Sequence, residues 1–314
     1  MKKLTDNTSL GKLILLCNVV VLVLFIISML FLLKFDNTNK AVIKERNHYN
    51  KLYESYVLAQ HPIRQDSAEV AYYQYKLDTL QQKTASTKDE RAALSESIEV
   101  TKQTLADKKK QQEENLNSLA DLEKEYGPVK KNWDQLNSDN DAAKKKFWIL
   151  ACITIIAFLF KTFIFAHWGA KNNKNLHEIA PWMKDGMKPW MSYVAWFAPI
   201  YNLIKPLSFF KEVWDETDYA LENAGVTNRD ENQVDNSNLY MAIWWGLLLC
   251  SVWLMNYVLF SAFFREGALF VKTNHASLAI CAIVLMLVCM LLESFLVLGY
   301  NKKNKQLLDN ESKF

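Results

Sequence analysis

Residues 13–33 read LILLCNVVVLVLFIISMLFLL, a run with no charged side chain. A helix rises about 1.5 Å per residue, so these residues extend about 30 Å, the thickness of a bilayer's hydrocarbon core. The run is too long for the apolar core of a secretory signal, and no small-x-small cleavage site follows before Lys34. Cys17 follows Leu15-Leu16, a poor lipidation box. We read an uncleaved first membrane span. Working outward, residues 147–169, 239–264 and 276–300 are almost entirely apolar, and none contains proline. Trp148 and Trp168 bracket the second run, Tyr240, Trp244 and Trp245 open the third, and Tyr300 closes the fourth ahead of Lys302. Aromatic residues at such ends are expected at the membrane–water interfaces.

Half of the 314 residues are apolar and 23% are charged, yet the mean hydropathy is only −0.09. The average conceals a segregation, because residues 35–146 are rich in Lys, Glu, Gln, Asn and Asp. The net charge of +3 is too small to argue for a nucleic-acid partner. All five cysteines lie in the apolar runs without CxxC spacing, so they read as small apolar fillers and not as disulfides or zinc ligands. The eight glycines are scattered singly, which leaves no phosphate-cradling loop. The five histidines form no HExxH, and no GxSxG elbow occurs. The expectation is an all-α membrane protein that is not an enzyme and has no catalytic, cofactor or metal site.

The polar insert reads as a helical hairpin. Between 35 and 146 stand one glycine, Gly127, and two prolines, Pro62 and Pro128, a poverty of breakers that favours helix. Ile98, Leu105, Gln112, Leu119, Tyr126 and Trp133 recur every seven residues, and so do Leu94, Thr101, Lys108, Asn115, Leu122, Val129 and Leu136. That is coiled-coil spacing, with Ile98, Leu105, Leu119 and Leu122 as its apolar seam and a polar middle. Thr87 with Glu90 forms a capping box that starts the returning arm. We expect one extended antiparallel hairpin; breaks at the two prolines would instead give a compact four-helix bundle. Two helices leave a seam partly uncovered, so the insert should meet a second copy or a helical protein partner. The domain reading is therefore 1–34 for the tail and first span, 35–146 for the hairpin, and 147–314 for a three-span membrane domain.

The other four prolines fall between 181 and 206, interleaved with Trp182, Trp190 and Trp196. Two internal prolines exclude a straight span over 190–210. Segment 181–222 is therefore read as re-entrant or interfacial, its last helix carrying the acidic face of Glu212, Asp215, Glu216 and Asp218. The order Pro189-Trp190, Trp196-Phe197, Pro199, Asn202, Pro206, then Glu212 and Trp214 resembles the signature of a bacterial four-span family catalogued as domain of unknown function 4328. In that family the signature follows an Asn-rich turn, here placed at Lys171–Leu176. The resemblance implies a four-span fold and a location in the bacterial inner membrane. It implies no activity and no long insert.

Inside the spans, Lys161, Glu293 and Asn18 form an intramembrane polar layer at one depth, since each stands seven to eight residues from the same end of its span or close to it. Ionisable groups in spans mark function or pair with one another. Pairing would make the second and fourth spans neighbours; the alternative is that Lys161 snorkels to the headgroups. Lysines and arginines near the span ends favour the terminal side by a small margin, which places both termini in the cytoplasm and 35–146 outside. Two functions follow. The first is a non-enzymatic, oligomeric anchor or sensor whose hairpin binds a partner. The second is a channel or transporter subunit, with the broken segment 189–210 and Lys161/Glu293 lining a path.

Overall fold

The computed structural model of the protein describes residues 4–180, 182, 186–198, 200–227, 236–263 and 274–314. Among these it contains six α-helices and no strand: α1 (Thr8–Gln81), α2 (Lys88–Ile179), α3 (Met191–Phe197), α4 (Lys205–Asn223), α5 (Ser237–Phe263) and α6 (His275–Asp309). Four of them, α1, α2, α5 and α6, are long and apolar enough to cross a membrane. The chain divides into two compact units, Thr38–Asp141 and the remainder, Met1–Asn37 with Ala142–Phe314. The division falls a few residues beyond the apolar runs because Phe35 and Ala143 still pack in the core of the spans.

In the unit Thr38–Asp141 the two arms run antiparallel. Lys108 Nζ lies 2.7 Å from Glu69 Oε2, Gln112 donates to Ser67 Oγ at 2.9 Å, and Asn115 donates to Asp66 at 2.6 Å. Further along, Tyr126 stacks on Tyr56, Trp133 stacks on Tyr49 at 4.9 Å between centroids, and Asn140 meets Asn39. Each step forward on one arm is thus matched by a step back on the other. The residues of α2 that turn inward here include Ile98, Leu105, Leu119, Leu122 and Tyr126 of the seven-residue pattern; Leu105 and Tyr126 are buried, and Ile98, Leu119 and Leu122 are half-buried. The polar middle is a set of cross-arm hydrogen bonds and not an unpaired gap. Glu90 accepts from the amides of Ser86 and Thr87 while Thr87 Oγ1 accepts from Glu90 N, which closes the capping box. Pro62 and Pro128 lie inside unbroken helices. Both sit on exposed faces, where the carbonyl deprived of its amide can turn to water.

In the membrane unit, α5 and α6 form an antiparallel pair and α4 packs against both. Two clusters make the core. One is aromatic, with Phe165, Trp168, Phe210, Trp214, Trp244 and Tyr300; the other is built from Phe25, Met29, Phe35, Phe147, Ala279 and Ala282. Trp168 and Trp244 are fully buried, so both indoles face the bundle interior and not the surrounding lipid. The Trp168 indole N–H donates inward to Asn301 Oδ1. Residues 171–176 are helical as well: α2 continues to Ile179 where an Asn-rich turn was expected. Two of its asparagines bond to other segments, Asn172 to Asn7 and Asn175 to Thr5 and Asn304, whereas the side-chain amide of Asn173 is buried without a partner among the described residues. Of the cysteines, Cys289 is buried and Cys17 half-buried, whereas Cys152, Cys250 and Cys281 lie on exposed faces and fill no gap.

Candidate functional site

Lys161 stands on the apolar part of α2 and Glu293 on that of α6. Lys161 Nζ is 2.6 Å from Glu293 Oε2, and the side chains are 3% and 1% exposed. Lys161 therefore does not snorkel. The second and fourth spans are neighbours, and both charges face the bundle interior. The third span joins them through Trp244, whose indole N–H donates to the same carboxylate oxygen at 3.3 Å. Met290 and Cys289 pack beside the pair. Asn18, from the first span, does not reach Glu293 but donates to its neighbour Ser294 Oγ at 3.1 Å. The polar layer thus ties all four spans together. Two of its acceptors, Glu293 Oε1 and Asn18 Oδ1, are buried without a donor among the described residues.

A second buried cluster escaped the sequence reading. Asp36 Oδ1 lies 3.0 Å from His275 Nδ1, and His275 Nε2 lies 3.1 Å from Ser261 Oγ. All three residues are buried. They stand at the ends of three different spans, so only the packed bundle brings them together. The order is that of a charge relay, but Ser261 also donates to Val258 O at 2.9 Å and its side chain is fully buried among the described residues. The signal that could have found this cluster is a titratable residue at each of two span ends. On the spacing of spans one and four, this cluster and the Lys161–Glu293 pair are separated by eighteen residues, about 27 Å of helix. A buried polar cluster therefore ties the bundle together near each face of the apolar zone.

The proline–tryptophan segment is not laid loosely on a surface. Ser192 Oγ on α3 donates to Ala166 O, Trp245 Nε1 donates to Leu203 O, and Thr217 pairs with Tyr300 OH at 2.8 Å. Gly169 permits this approach, because a Cβ there would stand 2.9 Å from Ser192 Oγ. Pro206 occupies the first turn of α4, where its missing N–H costs nothing, and is buried. Trp196 and Trp214 enter the aromatic core, whereas Trp190 and Asn202 stay exposed and Pro189 is half-buried. Pro199 and Pro181 lie outside the described residues. The acidic face of α4 is engaged and not merely solvated. Glu212 accepts from Met187 N, Glu216 from Trp182 Nε1, and Asp218 pairs with Lys303, whose ammonium also lies 4.4 Å above the Trp214 ring. No group of His, Cys, Asp or Glu among the described residues could hold a metal ion.

The family described as "Domain of unknown function (DUF4328)" matches residues 136–302. No curated protein and no solved structure matches the chain. The matched stretch contains Lys161, Trp244, Glu293 and the whole proline–tryptophan segment, and it omits the first span and nearly all of the hairpin. With more than half of its length matched, the chain belongs to the DUF4328 family of domains of unknown function.

Proposed function

We propose that the protein is a non-enzymatic, oligomeric anchor of the bacterial inner membrane, with cytoplasmic termini and a hairpin, 35–146, that binds a helical partner or a second copy outside. One observation carries this reading: the hairpin leaves large apolar side chains in water. Leu58 and Tyr75 are each 71% exposed, and Tyr72 and Val100 are more than half exposed. Tyr72 and Tyr75 stand one helical turn apart, and adjoining exposed apolar side chains of this kind mark interaction sites. The half-buried state of Ile98, Leu119 and Leu122 supports the same reading, since a further helix against the seam would complete their burial. The spans suit an anchor because the charges of Lys161 and Glu293 are paired with one another.

A photo-crosslinking residue at Leu58 or at Tyr75, activated in intact cells, should give one dominant product, either the homodimer or a single helical protein. A diffuse ladder, or no product from either position, refutes the proposal. The channel or transporter reading rests on a narrower observation, the two buried acceptors of Glu293 and Asn18 that lack a donor among the described residues. Ion conductance by the purified protein in liposomes would favour that reading.

A further inference from the structure

A cleft of about 200 Å³ opens among the spans. Its floor is formed by Val21 and Phe25 of α1, Thr154 of α2, Ser251 of α5 and Met286 of α6, all buried. Its mouth lies between α2 and α5, where Ile155, Leu159, Val252 and Asn256 are exposed. The depth follows from the apolar runs. Phe25 stands eight residues from the end of its run, Thr154 seven, Asn256 eight and Met286 ten, each counted from the hairpin side. At 1.5 Å per residue these positions are roughly 10–15 Å into a core about 30 Å thick. The mouth therefore opens near the bilayer midplane, where water is absent and any occupant arrives through the lipid.

Asn256 is out of place there. Its amide makes no hydrogen bond among the described residues, and hydrocarbon offers none. Thr154 and Ser251 do not share this need, because each hydroxyl already has a backbone carbonyl partner, Leu150 O and Leu247 O. The rest of the lining is suited to a flat ring. Phe25 and Phe158 offer aromatic faces or edges, and Met255 and Met286 offer thioethers, which pack favourably against rings and adapt to shape. An apolar cavity of about 150 Å³ takes a benzene molecule, so this one has room for a substituted six-membered ring, and its open mouth would let the remainder of such a ligand trail into the bilayer.

We propose that this cleft is a binding site for a lipid-dissolved ring compound bearing a carbonyl or hydroxyl group, of the quinone class, with Asn256 as its hydrogen-bonding partner. An acyl chain would fill the apolar floor but leave the Asn256 amide unsatisfied; a ring carbonyl meets both requirements. The site is independent of the hairpin's partner.

The test uses the full chain reconstituted in phosphatidylcholine vesicles and a short-chain azidobenzoquinone as photoprobe. Adducts should concentrate on 154–159 and 252–259, and excess unlabelled short-chain benzoquinone should suppress them at least tenfold. Asn256→Leu should reduce labelling at least fivefold with an unchanged or higher melting temperature, because it removes a polar group from lipid. Val252→Trp, which blocks the mouth, should abolish labelling and serves as the second variant. Labelling spread evenly over lipid-facing helices overturns the proposal. So does labelling insensitive to both substitutions, or equal labelling of the same peptides by a photoreactive fatty acid, which would mean acyl filling only. Efficient oxidative dimerisation of Asn256→Cys would assign the amide to a second copy and likewise overturn it.

Discussion

Lys161 and Glu293 are each unfavourable alone in hydrocarbon, by about 2.5–3.5 kcal/mol on insertion scales, and stabilise one another at 2.6 Å. Removing one partner of a buried pair costs about 3–5 kcal/mol, whereas replacing both by apolar groups is often neutral. Glu293→Gln should therefore lower the melting temperature more than Glu293→Gln combined with Lys161→Met; additive effects would show that the two side chains act independently. Trp244 shares the carboxylate, so Trp244→Phe should weaken the assembly by about 1 kcal/mol, read in the same melting assay. A third residue-scale prediction concerns Gly11. A Cβ there would run into the side chain of Asn301, which is held in place by the Trp168 indole. Gly11→Ala should destabilise by about 1–3 kcal/mol, and Asn301→Ala introduced beside it should recover part of the loss.

At the scale of the element, the hairpin carries its own pH dependence. Glu90 is held below the ordinary carboxylate value by the amides of Ser86 and Thr87, and Glu69 by its hydrogen bond from Lys108. A depressed folded value contributes stability above the unfolded value of 4.5, and that stability is lost as pH falls through the folded value. Tyr126 shifts the other way, up to about 12, through its hydrogen bond with Tyr49 and its burial. Its contribution is present below the unfolded value of 10 and is lost as pH rises toward 12. Circular dichroism of the 38–141 segment should show helix that weakens below pH 4.5 and again above pH 10. Tyr126→Phe should flatten the alkaline limb and leave the acid limb unchanged. The polar layer Asp66–Asn115, Ser67–Gln112 and Glu69–Lys108 opposes register slips, since any slip leaves the buried Asp66 carboxylate without Asn115.

For the whole molecule the decisive measurement is topological. If the termini are cytoplasmic, a cysteine at Ser86, in the turn between the arms, should react with an impermeant maleimide in intact cells. The native cysteines Cys152, Cys250 and Cys281 lie within the apolar spans and should stay unlabelled as internal controls. Labelling of position 86 only after lysis would reverse the orientation and put the hairpin's partner in the cytoplasm.

The spans were legible because bilayer thickness sets a length and a composition that any chain must meet, and 13–33, 147–169, 239–264 and 276–300 meet them locally. The inward face of the hairpin was legible for a similar reason: a seven-residue repeat determines which side of a helix turns inward whatever it packs against. Depth along a span is also a sequence property, which is why Lys161 and Glu293 could be placed at one level. Rotation about the helix axis is not, and rotation decided the rest. It turned Trp168 and Trp244 into the core instead of toward lipid, set Asn18 against Ser294 instead of Glu293, and engaged the acidic face of α4 with Met187, Trp182 and Lys303. The meeting of Asp36, Ser261 and His275, and the midplane cleft beside Asn256, needed three and four spans in place at once. A pattern within one helix determines what that helix can bury; which side chains meet depends on the azimuth of each neighbouring helix, and only tertiary packing supplies that.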